Sequence, residues 1–449
     1  MTKLLFAKNV LEKYSITNIL HTQDFMRLSQ LYFLTALCTC AFFLASCQAY
    51  VRDVSSPVDL IDNRNLNTES ALPLLYTAVG GTFAEGQRQI SPLASVLSDE
   101  CIPSNGISAD NTNGTVFNID DGNPDFTESL IGNAWISYGS VGKHVRVILE
   151  KVDIIRFTSD STRRRALFTA YFFHGMAVHY LASYWGIAPR IGGGVLNGGA
   201  FIPSTPLHDT SLASFARALA NVPSSYERRL VNTMIARVHL LEGRYNQALA
   251  AVLNGLQQGD RPFQATYTDG AYNFWADYNR PDPFGRGPVL PHPRFRAYVM
   301  AEAAEAARIP LVQGIRPVPG RTEPYFLQAK YVESSPIDIA TWQENALMLA
   351  ELRLRLENNT QAALVEVNRV RAAVPAPQGI TPLAARTTTN LDSIFLEREK
   401  EFFGTGLRLL DQRRLNRWTQ FTGANAARAW YFLPIPKREF DTNKNLIQP

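Results

Sequence analysis

The sequence predicts a mainly α-helical protein in which tetratricopeptide-like helix pairs form a scaffold with long irregular loops. Apolar residues recur at three- and four-residue steps through much of the 449-residue chain, as amphipathic helices require. Two segments, 226–256 and 341–373, have the length and the alternation of small and large side chains typical of repeated helix–turn–helix units. Between them, residues 257–340 lack this periodicity, so we expect an irregular insertion there.

The N-terminal segment has the layout of a secretory signal. The run "LYFLTALCTCAFFLAS" (31–46) is apolar but shorter than the roughly 20 residues of a spanning helix. It follows Arg27 and ends in small residues. Met26 lies at a normal distance from this run, so residues 1–25 are a candidate for an upstream start that is not translated. We assign residues 1–46 to a signal peptide outside the folded domain.

The end of this segment, "LASC" (44–47), has the form of a bacterial lipobox. The Cys47 thiol would be alkylated by diacylglycerol, and cleavage would free its amine for a further acyl chain such as palmitate. Two or three chains anchor a protein stably, whereas one chain does not. The alternative is a short buried helix with a chance cysteine. On the lipobox interpretation, 47–70 is a lipidated tether and 71–449 is a single helical domain.

Composition excludes some classes of protein. Hydrophobic residues make up 46% of the chain and charged residues 19%, which is typical of a globular protein with a sizeable core. The net charge of +4 gives no electrostatic case for nucleic-acid binding. After Cys38 and Cys40 leave with the signal and Cys47 is lipidated, Cys101 is the last free thiol, so no intrachain disulfide can form.

The remaining segments follow from periodicity and turn residues. We predict helices at 71–85, 91–100, 126–153 and 161–186, loops at 101–125 and 190–203, and turns at Gly243-Arg244-Tyr245 and Asn358-Asn359. The glycine-rich segment 190–203 lacks the Gly-Lys-Ser/Thr ending of a phosphate loop. His174 and His179 lie roughly 140° apart on a helix, so they do not converge on a metal ion.

An aromatic-rich stretch, 261–295, dominates the insertion. Its rings are Phe263, Tyr267, Tyr272, Phe274, Trp275, Tyr278, Phe284 and Phe295, set among Pro, Gly, Asp and Asn. A loop of this length is usually functional or disordered, and its aromatic density argues against disorder. Flat rings edged by amides and carboxylates can stack on a sugar or a peptide. The alternative is that they anchor the loop on the helical core, and we expect about half of them to do only that.

Residues 396–414, "LEREKEFFGTGLRLLDQRR", combine dense charge with large apolar side chains. Glu397 and Glu401 lie four positions apart on one helix face, as a catalytic carboxylate pair would. The surrounding cations are Arg398, Lys400, Arg408 and Arg414. Nearby cations favour ionised carboxylates and lower their pKa values, which suits a structural network better than a general acid.

The same stretch predicts two helices with a break between them. Gly404 and Gly406 tolerate the backbone conformations that end one helix and begin another. Asp411 is spaced to pair with Arg408 and Arg414 along the second helix. No Gly-x-Ser-x-Gly, His-Glu-x-x-His or paired Cys/His signature appears in the chain, so we predict no catalytic residue, no metal site and no cofactor.

In combination, these segments resemble the SusD/RagB family of outer-membrane nutrient-binding lipoproteins from the Bacteroidetes group. The late family signature is matched by Glu397, Arg398, Glu401, Gly406, Arg408, Asp411, Arg414, Pro434-Ile435-Pro436, Asn443 and Gln448. The helix 169–189 resembles an aromatic family helix that ends in a Tyr/Phe-Gly-x-x-Pro turn, and "LSDE" (97–100) resembles an early element. Thr405 departs from the usual Glu, and Gly404 from the common aromatic residue.

The resemblance implies a SusD-like superhelical fold and a binding protein that performs no bond chemistry. Members cap a SusC-type TonB-dependent transporter, capture an oligosaccharide or peptide and hand it over at the cell exterior. On that basis the outer membrane is the expected location. The candidate ligand-binding residues are Tyr272, Phe274, Trp275, Tyr278 and Arg286, within a ligand-binding insertion at 257–340. The alternative is a tetratricopeptide-like lipoprotein scaffold for protein–protein assembly, without ligand capture.

Overall fold

The computed structural model describes residues 66–104, 112–127, 129–278, 289–314, 324–418, 421 and 423–447. The expected signal peptide, Cys47 and nearly all of the tether lie outside these residues, as do Arg286 and Gln448. Apart from Leu66, the described residues belong to one compact unit, Asn67–Pro449. Among them, no helix is both long and apolar enough to cross a bilayer.

Helices make up most of the fold, which confirms the predicted fold class. In chain order they are α1 (Leu72–Leu97), α2 (Thr112–Asp120), α3 (Ser129–Ile154), α4 (Asp160–Tyr184), α5 (Ser204–Ala220), α6 (Ser225–Leu241), α7 (Tyr245–Val252), α8 (Trp275–Tyr278), α9 (Pro293–Ala301), α10 (Trp342–Glu357), α11 (Thr360–Ala372), α12 (Leu391–Glu401), α13 (Leu407–Arg414), α14 (Gly423–Arg428) and α15 (Lys437–Thr442). Short 3-10 turns lie at Glu69–Ala71 and Ala303–Ala307.

Short strands join these helices. They are β1 (Cys101–Pro103), β2 (Trp185–Ala188), β3 (Ile191–Gly194), β4 (Ile202–Pro203), β5 (Phe263–Ala265), β6 (Val289–Pro291), β7 (Leu311–Gln313), β8 (Phe326–Gln328), β9 (Ile337–Ala340) and β10 (Leu433–Pro434). One four-stranded sheet has the order β10-β2-β3-β4, and the other pairs are β1-β6, β5-β9 and β7-β8.

Several helices begin at side-chain caps that satisfy their first backbone N–H groups. The Ser159 hydroxyl accepts from Ser161 N at the start of α4, and the Thr341 hydroxyl accepts from Glu344 N at the start of α10. Asn390 and Ser393 form a reciprocal capping box at the start of α12. Such caps typically contribute about 1 kcal/mol each, so they define where these helices start.

The N-terminal half is a layer of long helices in which α1 packs on α3, α3 on α4 and α4 on α5. Glycines permit this close approach. A Cβ on Gly86 of α1 would lie 2.8 Å from Tyr138 of α3, and a Cβ on Gly175 of α4 would lie 2.7 Å from Phe215 of α5. The segments 71–85 and 91–100, predicted as separate helices, form one continuous helix, α1, with Pro92 inside it.

The two predicted helix pairs are present as α6–α7 and α10–α11. Their turns use left-handed backbone at Gly243 (φ 68°) and Asn358 (φ 47°), as glycine and asparagine permit. The pairs pack on each other through one apolar cluster: Ala236, Leu240, Ala248, Ala251, Val252, Met348 and Leu352. Stacking of this kind buries faces that neither pair could bury alone.

Three segments without helical periodicity hold more regular structure than predicted. The expected loop 101–125 contains β1 and α2, the glycine-rich segment 190–203 contains β3 and β4, and the insertion 257–340 contains β5 to β9 and α9. These strands pair with distant residues; Cys101, for example, lies opposite Pro291. A strand of two to four residues is too short to show alternation, so the expectation of plain loop was wrong.

Candidate functional site

The aromatic stretch of the insertion is fixed to the core by Trp275. Its side chain is 1% exposed, its indole N–H donates to the Gly404 carbonyl at 2.9 Å, and its ring stacks on Tyr331 at 5.9 Å. Asn273 caps the α8 turn through its side-chain oxygen, which accepts from Trp275 N. Both polar and apolar parts of the indole are therefore satisfied inside the protein.

Trp275 packs against the glycine break between α12 and α13. Gly404 has φ 76°, a conformation that favours glycine, and a Cβ there would lie 2.6 Å from the Tyr331 ring. The Tyr331 hydroxyl and the Lys330 ammonium both donate to the Phe403 carbonyl. The departure at Gly404 from the family pattern thus has a physical reason: loop aromatics occupy the space that a side chain would need.

Tyr272 and Phe274 lie on the outer side of this anchor and are half-buried. Their rings meet edge to face at 5.6 Å, and the Arg88 guanidinium of α1 lies 4.1 Å from the Phe274 centroid. Arg88 also donates to the Tyr272 carbonyl at 2.9 Å and pairs with Glu85 at 2.6 Å. We call Arg88, Tyr272 and Phe274 the aromatic cluster. Its rings are held rigidly yet keep part of their surface accessible.

The structure separates the predicted ligand-binding residues. Tyr272 and Phe274 come together at the surface, whereas Trp275 is enclosed and offers no ring face to a ligand, which corrects its assignment as a stacking residue. Arg286 and the side chain of Tyr278 lie outside the described part of the chain. Other rings of the stretch also face inward: Tyr267 donates to the Ala84 carbonyl, Phe263 packs on Phe172, and Phe295 packs on Phe403. Sequence reasoning missed Arg88, since it lies 184 residues before Tyr272.

The charge-dense stretch forms a buried ion network. Glu397 is fully buried, and its carboxylate accepts from Arg371 at 2.6 Å, Arg386 at 2.7 Å and Arg308 at 3.0 Å. Burial opposes its ionisation, but these guanidinium groups outweigh burial and lower the pKa of Glu397 to about 2. For Glu401 the balance is reversed: burial raises its pKa despite Arg308 at 3.3 Å, so the expected lowering of both pKa values is wrong for this residue.

A second part of the network crosses the glycine break. Asp411 accepts from Arg398 of α12 at 2.6 Å and from Arg414 of α13 at 2.7 Å. Arg414 also pairs with Glu351 of α10 at 2.6 Å. Burial opposes ionisation of Glu351, yet Arg414 lowers its pKa to about 2.

Arg408 does not make the predicted pair with Asp411. It pairs instead with Glu399 of α12 at 3.0 Å and donates to the Ser98 carbonyl, at the end of α1, at 2.9 Å. Thus the carboxylates of this stretch are engaged by cations, which leaves them suited to holding helices together.

A further polar cluster joins α4, α5 and the end of α6. Ser183 shares hydrogen bonds with His208 at 3.0 Å and with His179 at 3.2 Å, and His208 pairs with Glu242. The order Ser–His–Glu resembles a hydrolase triad. However, Ser183 is fully buried and His208 is 3% exposed, so a substrate has no contact with the hydroxyl. Sequence reasoning missed this cluster because its members are spread over residues 179–242, on three elements.

Comparison with solved structures identifies the fold. A SusD superfamily protein from Bacteroides thetaiotaomicron has a TM-score of 0.67 at 16% identity, over 85% of this chain and 100% of that chain. One from Bacteroides fragilis has a TM-score of 0.66 at 15% identity, over 84% and 99%. Surface glycan-binding protein A from Bacteroides thetaiotaomicron, in complex with laminarihexaose, has a TM-score of 0.61 at 16% identity, over 85% and 99%. No protein-family model and no curated protein matches the sequence. The chain has the SusD-like fold that its motifs predict.

Proposed function

We propose, from this SusD-like fold, that the protein is a surface lipoprotein that captures an oligosaccharide and delivers it to a SusC-type TonB-dependent transporter. The observation that carries the proposal is the fold shared with a surface glycan-binding protein whose structure holds laminarihexaose. Another structure of the same fold holds a xylogluco-oligosaccharide. Both bound molecules are glycans, which supports an oligosaccharide over a peptide. The function requires binding and release, with no bond made or broken in the ligand.

The aromatic cluster is the proposed capture site. Sugar rings present apolar C–H faces that stack on flat side chains, and preset rings lose little entropy on binding. Phe274 and Tyr272 are preset in this way by Arg88 and by the neighbouring Trp275 anchor. Tyr278 and Arg286 remain candidates next to them in sequence. In this proposal Trp275 holds the loop and does not touch the sugar.

Titration calorimetry with laminarihexaose and a xylogluco-oligosaccharide tests the site directly. We expect Phe274→Ala to weaken glycan binding by about 0.5–1.5 kcal/mol, or roughly two- to tenfold in affinity, because one stacking surface is lost. Tyr226→Ala is the matched control, since Tyr226 lies under Arg261 at 4.9 Å on the helix-pair side of the protein. Equal glycan affinity in the Phe274→Ala variant and the wild type would contradict the assignment of the site.

A protein–protein scaffold is the second candidate function, and the stacked pairs α6–α7 and α10–α11 favour it. Affinity purification from cells that carry the wild type or Phe274→Ala distinguishes the two. The capture function predicts that both forms retain the transporter, while the variant grows more slowly than the wild type when the glycan is limiting. Normal growth with Phe274→Ala, together with an unchanged set of partners, would favour the scaffold.

A further inference from the structure

A groove on another part of the molecule is not used by the proposed capture site. It has a volume of about 790 Å³ and lies between α3, the turn 195–198 and α15. This volume is in the range of pockets that hold small ligands, roughly 300–1,000 Å³. Neither Arg88, Tyr272 nor Phe274 lines it.

The frame of the groove is rigid because its walls are bonded to one another. The Trp135 indole of α3 donates to the Glu439 carboxylate of α15 at 3.1 Å, and Lys437 N donates to the Phe126 carbonyl at 2.8 Å. Across the groove, Arg146 donates to the Asn197 side chain at 2.8 Å. Because the walls are already ordered, binding of a ligand costs less conformational entropy than it would in a flexible groove.

The charge of the groove is positive. Its described lining has four cations, Lys143, Arg146, Lys437 and Arg438, and two carboxylates, Glu439 and Asp441, so its net charge is 4 − 2 = +2. Both carboxylates already have partners, since Glu439 accepts from Trp135 and Asp441 pairs with Lys437 at 2.6 Å. Lys143 and Arg438 are exposed and form no ion pair with a described residue.

The floor of the groove is open. Gly139 lies on the α3 face that lines it, and a Cβ built there would meet no atom within 4 Å. Ile136, one turn earlier, is 41% exposed. Hydroxyl and amide groups of Asn133, Ser140 and Thr442 stand along the same walls. An apolar strip between polar groups suits a sugar ring, which has both C–H faces and hydroxyl edges.

We propose that this groove binds an acidic oligosaccharide, one whose carboxylate or sulfate groups pair with Lys143 and Arg438. The proposal rests on the proposed function in that the ligand is a glycan, but it assigns a second, charge-selective site. An acidic peptide would supply similar charge. The sugar is favoured because the described lining consists of helices and turns, with no strand edge on which an extended peptide could pair.

The test uses hexagalacturonate and a sulfated heparin hexasaccharide as probes in titration calorimetry on the full-length protein, with laminarihexaose as the uncharged comparison. We expect both acidic probes to bind, with affinity that falls as salt rises. The double variant Lys143→Glu/Arg438→Glu should weaken them at least tenfold. Gly139→Trp should abolish binding by filling the floor, whereas Gly142→Trp, on the same helix but outside the lining, should not.

The outcomes separate the two proposals. Binding of an acidic probe that is lost in Gly139→Trp and kept in Phe274→Ala supports the groove, whatever laminarihexaose does. The groove proposal is overturned if neither acidic probe binds, if Gly139→Trp binds them as the wild type does, or if a hexaglutamate peptide binds in their place. If Phe274→Ala weakens binding of laminarihexaose while Gly139→Trp changes binding of no glycan, only the capture site is supported. Circular dichroism of each variant verifies its fold.

Discussion

Replacing Glu397 by Gln should remove the centre of the buried ion network while keeping its shape. In the folded protein the pKa of Glu397 is lowered to about 2 from an ordinary value of 4.5. This lowering of the pKa corresponds to roughly 3 kcal/mol of stability at pH 7. Loss of one partner from a buried pair typically costs about 3–5 kcal/mol, which is of the same size. Three guanidinium groups would then face an uncharged amide.

The pH dependence has a defined sign. Because the folded pKa is lower than the unfolded one, the stabilisation is fully present above pH 4.5 and is lost as pH falls towards 2. The difference in unfolding free energy between wild type and Glu397→Gln should therefore shrink from roughly 3 kcal/mol at pH 7 to roughly 1 kcal/mol at pH 3.

Urea unfolding followed by circular dichroism, at both pH values, measures this difference. Glu357→Gln is the control, since Glu357 pairs with Arg353 at the surface and the two side chains are 32% and 29% exposed. That change should cost less than about 1 kcal/mol. The reasoning fails if Glu397→Gln is as mild as the control at pH 7, or if its cost is the same at pH 3 as at pH 7.

The other predictions concern the glycine break between α12 and α13 and the lipid anchor at Cys47. Gly404→Ala should lower stability by more than about 2 kcal/mol, because backbone strain at φ 76° adds to the clash of the new Cβ with the Tyr331 ring. Gly243→Ala should cost only about 1–2 kcal/mol, because φ is 68° there but a Cβ would meet no neighbouring atom. Thermal unfolding of both variants measures the contrast, and equal losses would refute a packing role for Gly404. Cys47→Ser should release the exported protein from the membrane fraction in cell fractionation, and continued sedimentation with membranes would contradict the lipobox.

The sequence predicts the long helices well because each carries its own signal. Helix α4 shows a three- and four-residue apolar period, and the αL turns at Gly243 and Asn358 have the residues that such turns demand. Strands β1 and β6 have no such signal, since each is three residues long and its partner is far along the chain. Local pattern therefore identifies helices and turns but not the small sheets between them.

The candidate site shows the same limit. An aromatic-rich loop could be found from composition, yet which ring faces outward depends on a partner elsewhere in the chain. Trp275 is enclosed because the Gly404 carbonyl lies within reach of its N–H, and Phe274 is presented because Arg88 lies beneath it. In the ion network, a spacing of three residues predicted that Asp411 pairs with both Arg414 and Arg408. The pair with Arg414 is present, but the partners of Arg408 are Glu399 and Ser98, which lie on other elements.

The first helix of the domain is bonded to residues that are made more than 300 positions later. Gln87 of α1 donates to the Thr405 carbonyl, 318 positions later, and Arg408 donates to the Ser98 carbonyl, 310 positions earlier. A nascent chain cannot close these contacts before residues 405–408 have left the ribosome. Until then the Gln87 amide and the Ser98 carbonyl remain hydrated, so α1 completes its hydrogen bonds only after the C-terminal helices have been made. A polypeptide that has to be threaded unfolded through an export channel would benefit from that delay.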